Sequence, residues 1–535
     1  VSGTLGTVET GAAAWRGLRP LAVATGAQMA AIDQRAQREW ALPGAVLMEN
    51  AGANAYAAVR AHCWRDATAP GTLAFVAGRG NNGGDALVMA RHAQLAGAAE
   101  AVVVLAGGEP RAGSSAAANL AACRALGIPV LTNGDGRAAL RRASWIFDGI
   151  TGTGLRAALA EPMAALVEQI NAAPGRVVAI DVPSGLGDGY DGGPLVRADV
   201  TVTMGLPKRC LYLPAVRTAV GEILVVAVGF PPPLLTDPGL GCHLLSEDLL
   251  PALLPGAAPD AHKGTRGHVA VFAAAPGTTG AAHLATTAAA RAGAGLVTLY
   301  VDGDTYPLVA PAARSTMCRR LDAAGGAELE ALLARHQALL VGPGWGTDAQ
   351  RLALLAELLE APLPGVLDAD GLNLLVQLAA AEGGPRSLGG RWVLTPHPGE
   401  MGRLLGLSTA QVLADPAAAA AAAAERWQAA VVLKGHVSYV ASAGGLAILD
   451  AGNPALATGG SGDVLAGVVA GLLSRGLDAG AAARAAVLVH SRAGRKAARG
   501  GGWILAEDLL VHVGRAAWPQ RPRRPHAHRR RRRRH

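Results

Sequence analysis

The sequence predicts two α/β domains, each a parallel sheet covered by helices on both faces. Three observations carry this. Short continuous apolar runs alternate with helical patterns along most of the chain, as strands buried on both faces do. The 535 residues exceed what one core usually organises. A Gly229-Phe-Pro-Pro-Pro break interrupts the alternation near the middle.

The elements follow in order. Residues 1–25 are rich in Gly and Ala with little periodicity and read as a flexible N-terminal extension. The first domain, 26–237, opens with helical patterns at Ala27–Glu39 and Val46–His62. Its strands are expected at Leu73–Ala77, Ala101–Leu105, Trp145–Asp148, Val177–Asp181, Val200–Met204 and Ile223–Val228. The boundary falls near residue 238. In the second domain, 238–518, strands are expected at Val269–Ala273, Leu296–Val301, Ala338–Val341, Gly365–Asp368, Trp392–Thr395 and Ala430–Leu433. Ala417–Ala424, behind Asp415-Pro416, is a helix with its start signal. Residues 519–535 are expected to be a disordered Arg-rich tail.

The formal charge of +8 is misleading, because residues 521–535 hold nine Arg and no acid. Without those nine the rest carries about −1, so no specific nucleic-acid partner is expected. Five scattered cysteines lack any CxxC or zinc-like spacing and suit a cytoplasmic enzyme with reduced thiols. Neither a signal peptide nor a membrane span is expected.

In the first half, the strand ending at Ala77 runs into Gly78-Arg-Gly-Asn-Asn-Gly-Gly-Asp85, where a helix begins. Such a turn sets backbone amides against a phosphate-bearing ligand. Asp148 and Asp181 end two further strands and should converge on it, since ligands of parallel sheets lie beyond the strands' carboxyl ends. Gly152-Thr-Gly-Leu-Arg156 follows Asp148. Asn82, Asp148 and Ser184 offer oxygen ligands, which favours a hard cation.

Asn-Asn-Gly-Gly-Asp, Gly-Thr-Gly-Leu, Asp181-Val-Pro-Ser-Gly185 and Gly205-Leu-Pro-Lys208 together resemble the NAD(P)H-hydrate epimerase family. The resemblance implies a Rossmann-like three-layer domain, with potassium near Asn82, Asp148 and Ser184. The hydrated dinucleotide would meet Asn81, Asn82, Gly83, Gly84 and Asp85, the loop Gly152, Thr153, Gly154, Leu155 and Arg156, and Asp181. Asp181 is the candidate acid/base.

In the second half, Asn453-Pro-Ala-Leu-Ala-Thr-Gly-Gly-Ser-Gly-Asp463 leads directly into an apolar helical run. A helix N-terminus with free amides holds phosphate, and Asp463 at its mouth can take a proton from a substrate hydroxyl. Val341-Gly-Pro-Gly-Trp-Gly346, Asp368-Ala-Asp370 and Thr395-Pro-His-Pro-Gly-Glu400 each end a strand, and Lys434-Gly-His-Val-Ser438 closes another. In this order, from about His262 to Ala497, the segments resemble the ADP-dependent NAD(P)H-hydrate dehydratases. That implies a ribokinase-like domain, with ADP on Lys434, Gly435, His436, Val437 and Ser438 and on Thr458, Gly459, Gly460, Ser461 and Gly462. The hydrated nicotinamide would meet Gly344, His397 and Asp463, with magnesium accompanying the nucleotide. One departure is Arg495, where the family usually has an acidic residue.

The combined expectation is a bifunctional repair enzyme that epimerises the two hydrate isomers and dehydrates the S form. Its partners would be small molecules, with assembly as a homo-oligomer and no membrane contact. Two other readings are a ribokinase-like kinase for a vitamin-precursor alcohol and a nucleotide-binding module without turnover.

Overall fold

The computed structural model describes residues 20–65, 71–98, 100–254, 256, 258–321 and 325–518. The Arg-rich tail and most of the N-terminal extension lie outside them. Two sheets organise the chain, as expected. The first has seven parallel strands in the spatial order Val130–Thr132, Glu100–Leu105, Thr72–Ala77, Trp145–Gly149, Arg176–Ile180, Val200–Met204 and Glu222–Val226. Its strands are buried through nearly every residue, because helices cover both faces: one apolar cluster gathers Phe75, Phe147 and Leu224, the other Val76, Ile146 and Ala179.

The second sheet has eleven strands. From one edge inward run six parallel strands: Met317–Arg320, Leu296–Val301, His268–Phe272, Ala338–Val341, Gly365–Leu367 and Trp392–Leu394. Ala430–Leu433 continues them, and the antiparallel hairpin Val437–Ser442/Gly445–Asp450 extends the edge.

One expectation is corrected here. Residues 1–25 read as a loose extension, yet Leu21–Ala22 forms a strand that pairs antiparallel with Cys242–Leu244, beside Gly445–Asp450 in the second sheet. Val23 continues the attachment, donating to the Cys242 carbonyl at 2.9 Å. A two-residue strand has no periodicity to read, and its pairing partner is more than two hundred residues away in sequence.

The halves also share a core, in which Tyr212, Val216 and Ile223 pack with Val437, Tyr439 and Ile448. The Tyr439 hydroxyl donates to the Tyr212 carbonyl at 2.7 Å. Arg217 grips Asp450 through two nitrogens at 2.8–2.9 Å, with the two side chains 13% and 10% exposed. Arg495 pairs with Glu247 and donates to Ser491 Oγ at 2.9 Å, so its charge is balanced where an acidic residue was usual. Among the described residues no helix is long and apolar enough to cross a membrane.

Candidate active sites

In the first half, Thr72–Ala77 turns through Gly78-Arg79-Gly80 into helix Asn81–Leu95. A Cβ on Gly83 would lie 1.9 Å from the Gly78 carbonyl oxygen, and one on Gly84 would lie 2.6 Å from Met48 sulfur. The α-carbons of these two glycines therefore face protein, and only their backbone is left to touch a ligand. Asn81 is exposed.

Asn82 turns beneath the neighbouring strand. Its Nδ2 donates to the Thr151 carbonyl at 2.8 Å, while its Oδ1 is buried with no partner. Asp148, fully buried, accepts from Ser184 Oγ at 2.6 Å, the Ser184 amide at 2.8 Å and the Ile150 amide at 3.2 Å. Burial pushes its carboxyl up to about 6, against the pull of those bonds. The Thr151 amide in turn donates to Ser184 Oγ at 2.9 Å. Asn82, Asp148 and Ser184 thus meet around Thr151. Buried polar atoms rarely go unpaired, and an orphaned amide oxygen beside a buried carboxylate and a hydroxyl fits a hard cation.

Asp181 follows strand Arg176–Ile180 with φ +69°, a left-handed conformation that costs roughly 1–3 kcal/mol in a non-glycine residue. Its surroundings impose it: Oδ1 accepts from the Met204 amide at 3.2 Å and pairs with the Lys208 ammonium. Lys208 is fully buried and also donates to Thr203 Oγ1 at 3.0 Å and the Met204 carbonyl at 2.7 Å. Sequence reasoning quoted Lys208 as the end of the Gly205-Leu-Pro-Lys208 motif but did not name it as a site residue. Desolvation, then the charge of Asp181, holds Asp85 well above the ordinary carboxylate range. The loop Gly152–Arg156 begins against Asn82 and reaches Gly187, where a Cβ would lie 2.8 Å from the Leu155 carbonyl oxygen.

In the second half, Ser461–Leu473 begins at Gly460, which has φ +87° and no side-chain cap. The amides of its first turn therefore lack helical acceptors and point outward with the positive end of the helix. Lys434 lies alongside: a Cβ on Gly462 would sit 3.3 Å from its Nζ and 3.8 Å from Asp368 Oδ2. Lys434 is bound to Asp368 at 2.7 Å and lies 3.8 Å from Glu400. Thr395 Oγ1 donates to the same Asp368 oxygen at 2.9 Å. Burial would lower the Lys434 ammonium, but the charges of Asp368, Glu400 and Asp463 hold it above its ordinary value. Asp463 is pushed up to about 6, first by burial and then by Asp368, with Lys434 opposing.

His397 caps its helix, its Nδ1 accepting from the Gly399 amide at 3.0 Å and the Glu400 amide at 3.3 Å. Its Nε2 lies 3.4 Å from Glu400 Oε1, and the ring is about half-exposed. Gly344, at φ +55°, accepts from Thr278 Oγ1 at 2.7 Å, and Asp370 accepts from the Gly346 amide at 2.8 Å. His490 donates from Nε2 to the Ser461 carbonyl at 2.9 Å, and burial drives its ring down to about 4. It is therefore a neutral pin on the helix start. Sequence reasoning named neither His490 nor Asp368 as a site residue.

A cleft of about 930 Å³ opens at this helix start. Lys434, Gly435, His436, Ser438, Ser461 and Gly462 line it. Val437 turns its side chain into the core, as strand alternation requires. Thr458, Gly459 and Gly460 form the turn that leads into the helix.

Residues 269–513 match the family described as NAD(P)H-hydrate dehydratase, and residues 44–210 match the YjeF-related protein N-terminus. The chain is 38% identical to the bifunctional NAD(P)H-hydrate repair enzyme of Coxiella burnetii, over 87% of this chain and 93% of that protein. It is 37% identical to the enzyme of the same name from Moorella thermoacetica, over 91% and 94%, and 32% to that of Escherichia coli, over 83% and 84%. An ADP/ATP-dependent NAD(P)H-hydrate dehydratase structure from Bacillus subtilis, co-crystallised with ATP and magnesium, aligns at 28% identity and TM-score 0.44, over 51% of this chain and 96% of that one.

Proposed function

The chain belongs to the family of bifunctional NAD(P)H-hydrate repair enzymes, and from that membership we propose how its residues divide the work. The N-terminal half epimerises the hydrate. Inversion at the carbon bearing the added hydroxyl requires its C–O bond to break and reform on the opposite face. Asp181, as the acid/base, gives a proton as the hydroxyl leaves as water and takes one back as water re-adds, with Asp85 as its neighbour. Lys208 positions Asp181. Asn82, Asp148 and Ser184 hold potassium, whose charge offsets the buried carboxylate and fixes the Thr151–Arg156 loop.

The C-terminal half dehydrates the S isomer. Hydroxide is a poor leaving group, so the added hydroxyl is first phosphorylated. Asp463 takes its proton, and its oxygen attacks the β-phosphorus of ADP, releasing AMP. Amides around Gly460–Gly462 hold the transferring group. Loss of phosphate together with the neighbouring ring proton then restores the reduced nicotinamide. Asp368 and Glu400 keep Lys434 beside the phosphates, while Gly344 and the His397 Nε2 edge face the nicotinamide. Magnesium comes with the nucleotide, held chiefly by phosphate and water.

The observation that carries this reading is Asp463 on the first turn of an uncapped helix, beside the Asp368–Lys434 pair, with Lys434 and Gly462 lining the cleft. Five free cysteines support a reducing, cytoplasmic setting, and exposed Trp503, Leu505, Val511 and Trp518 support a homo-oligomer.

The test mixes purified protein with both isomers of NADH hydrate and magnesium, adding ADP, ATP or neither. Complete return of reduced-nicotinamide absorbance with ADP is expected. Recovery that stops at the fraction of one isomer refutes the epimerase assignment. No recovery with either nucleotide refutes the dehydratase.

A further inference from the structure

Resting on the nucleotide reading of the cleft, we propose that this site is composite, with the N-terminal half supplying the wall that receives the nucleoside end of the nucleotide. The lining has a direction. At one end stand Ser461 and Gly462, on the uncapped helix start, with Lys434 beside them. This end attracts phosphate. Gly435 and His436 lead away from it into strand Val437–Ser442, where Val437 pairs with Asp450, and Asp450 reaches across to Arg217 of the other half.

Beyond that ion pair the cavity is lined by Arg176, Asp199, Pro214, Thr218, Gly221 and Glu222, all from the N-terminal half. Asp199 accepts from the Val177 amide at 2.8 Å and Glu222 pairs with His62 Nε2 at 2.9 Å, and their remaining lone pairs can accept from sugar hydroxyls or an exocyclic amine. The Arg176 guanidinium lies 4.7 Å from the centroid of the Trp145 ring and 3.6 Å from Asp199, and it remains half-exposed. It offers a planar cation to a base. The uncapped helix start and Lys434 therefore set the orientation, with phosphates at the helix and ribose and base against the N-terminal wall. The two halves, which carry separate reactions, then share one binding site.

The test measures the calorimetric Kd for ADP, and the KM for ADP in dehydration, on the full-length protein. Thr218 is exposed, so Thr218→Trp fills the cleft from the wall without disturbing a core. Arg176→Ala removes the planar cation. The epimerisation rate on the same samples reports that the N-terminal half is folded. Thr218→Trp is expected to raise both constants about tenfold or more, and Arg176→Ala several-fold, each tenfold being about 1.4 kcal/mol. Values within about twofold of wild type in both variants overturn the proposal, as does a wild-type protein that binds no ADP. Weakened ADP binding in the variants of a protein that restores no reduced nicotinamide leaves the proposal standing and refutes only the reaction assigned above.

Discussion

Replacing Asp368 by Asn tests whether Asp463 works as a base in the electrostatic setting described. Asp463 is pushed up to about 6 by burial and by the Asp368 charge, with Lys434 pulling the other way. A group acting as a base must be ionised. With a value near 6, about nine-tenths of it is ionised at pH 7 and about one-tenth at pH 5, so dehydratase kcat/KM falls about tenfold between them. Asp368→Asn keeps the shape and removes one of the charges that raise Asp463. It also releases Lys434 from its 2.7 Å ion pair, leaving the ammonium to Asp463 and Glu400. Both changes favour ionised Asp463, so the acid limb moves down. One unit charge a few ångströms away is worth on the order of 1–3 kcal/mol at an effective dielectric of about 20, or about one pKa unit or more. The assay is initial-rate kcat/KM, which reports the groups of the free protein, from about pH 5 to 8, with the epimerisation rate as a control for folding. A limb that stays within about 0.3 of a unit refutes the electrostatic account, and a limb that moves up reverses its sign.

Four further outcomes are expected. Asp463→Asn lowers dehydratase turnover about 10²–10⁴-fold, the range for a lost general base, and a loss below about tenfold removes it from that role. Asp181→Asn lowers epimerisation by a similar factor while dehydration of the S isomer continues, so recovery from a mixed sample stops at one isomer. Potassium raises the thermal midpoint of the wild-type protein above that in sodium, and Asn82→Leu abolishes the difference; an unchanged difference would remove Asn82 as a ligand. Arg217→Leu strands the nearly buried Asp450 carboxylate and lowers stability by roughly 2–4 kcal/mol, and Asp450→Leu in the same chain restores part of it, read from urea midpoints.

The central strands were legible because their apolar runs are continuous and end in glycine turns. The same punctuation exposed Asp148, Asp181 and Asp463, each at a strand end or a helix start. Lys208 was obscured by its chemistry, since a lone lysine reads as solvated unless its acceptors are known, and Asp181, Thr203 and the Met204 carbonyl assemble only on folding. Asp368 was overshadowed by Asp370 two residues on, and only the pairing with Lys434 marks the first carboxylate as the one facing the helix start. Within Lys434–Ser438, a run taken whole as a nucleotide contact, strand alternation turns Val437 inward. The hairpin and the two- or three-residue strands at Leu21–Ala22 and Cys242–Leu244 carry too little pattern to be read.

The strand at Leu21–Ala22 also orders events during synthesis. It leaves the ribosome some 220 residues before its partner Cys242–Leu244. At about 5–20 residues per second this is a wait of roughly ten to forty-five seconds. The partner's other neighbour, Gly445–Asp450, appears only after about two hundred more residues. The N-terminal half can thus complete its own sheet early, yet Leu21–Ala22 stays unpaired until the far half takes shape, which makes this strand among the last to be locked in place.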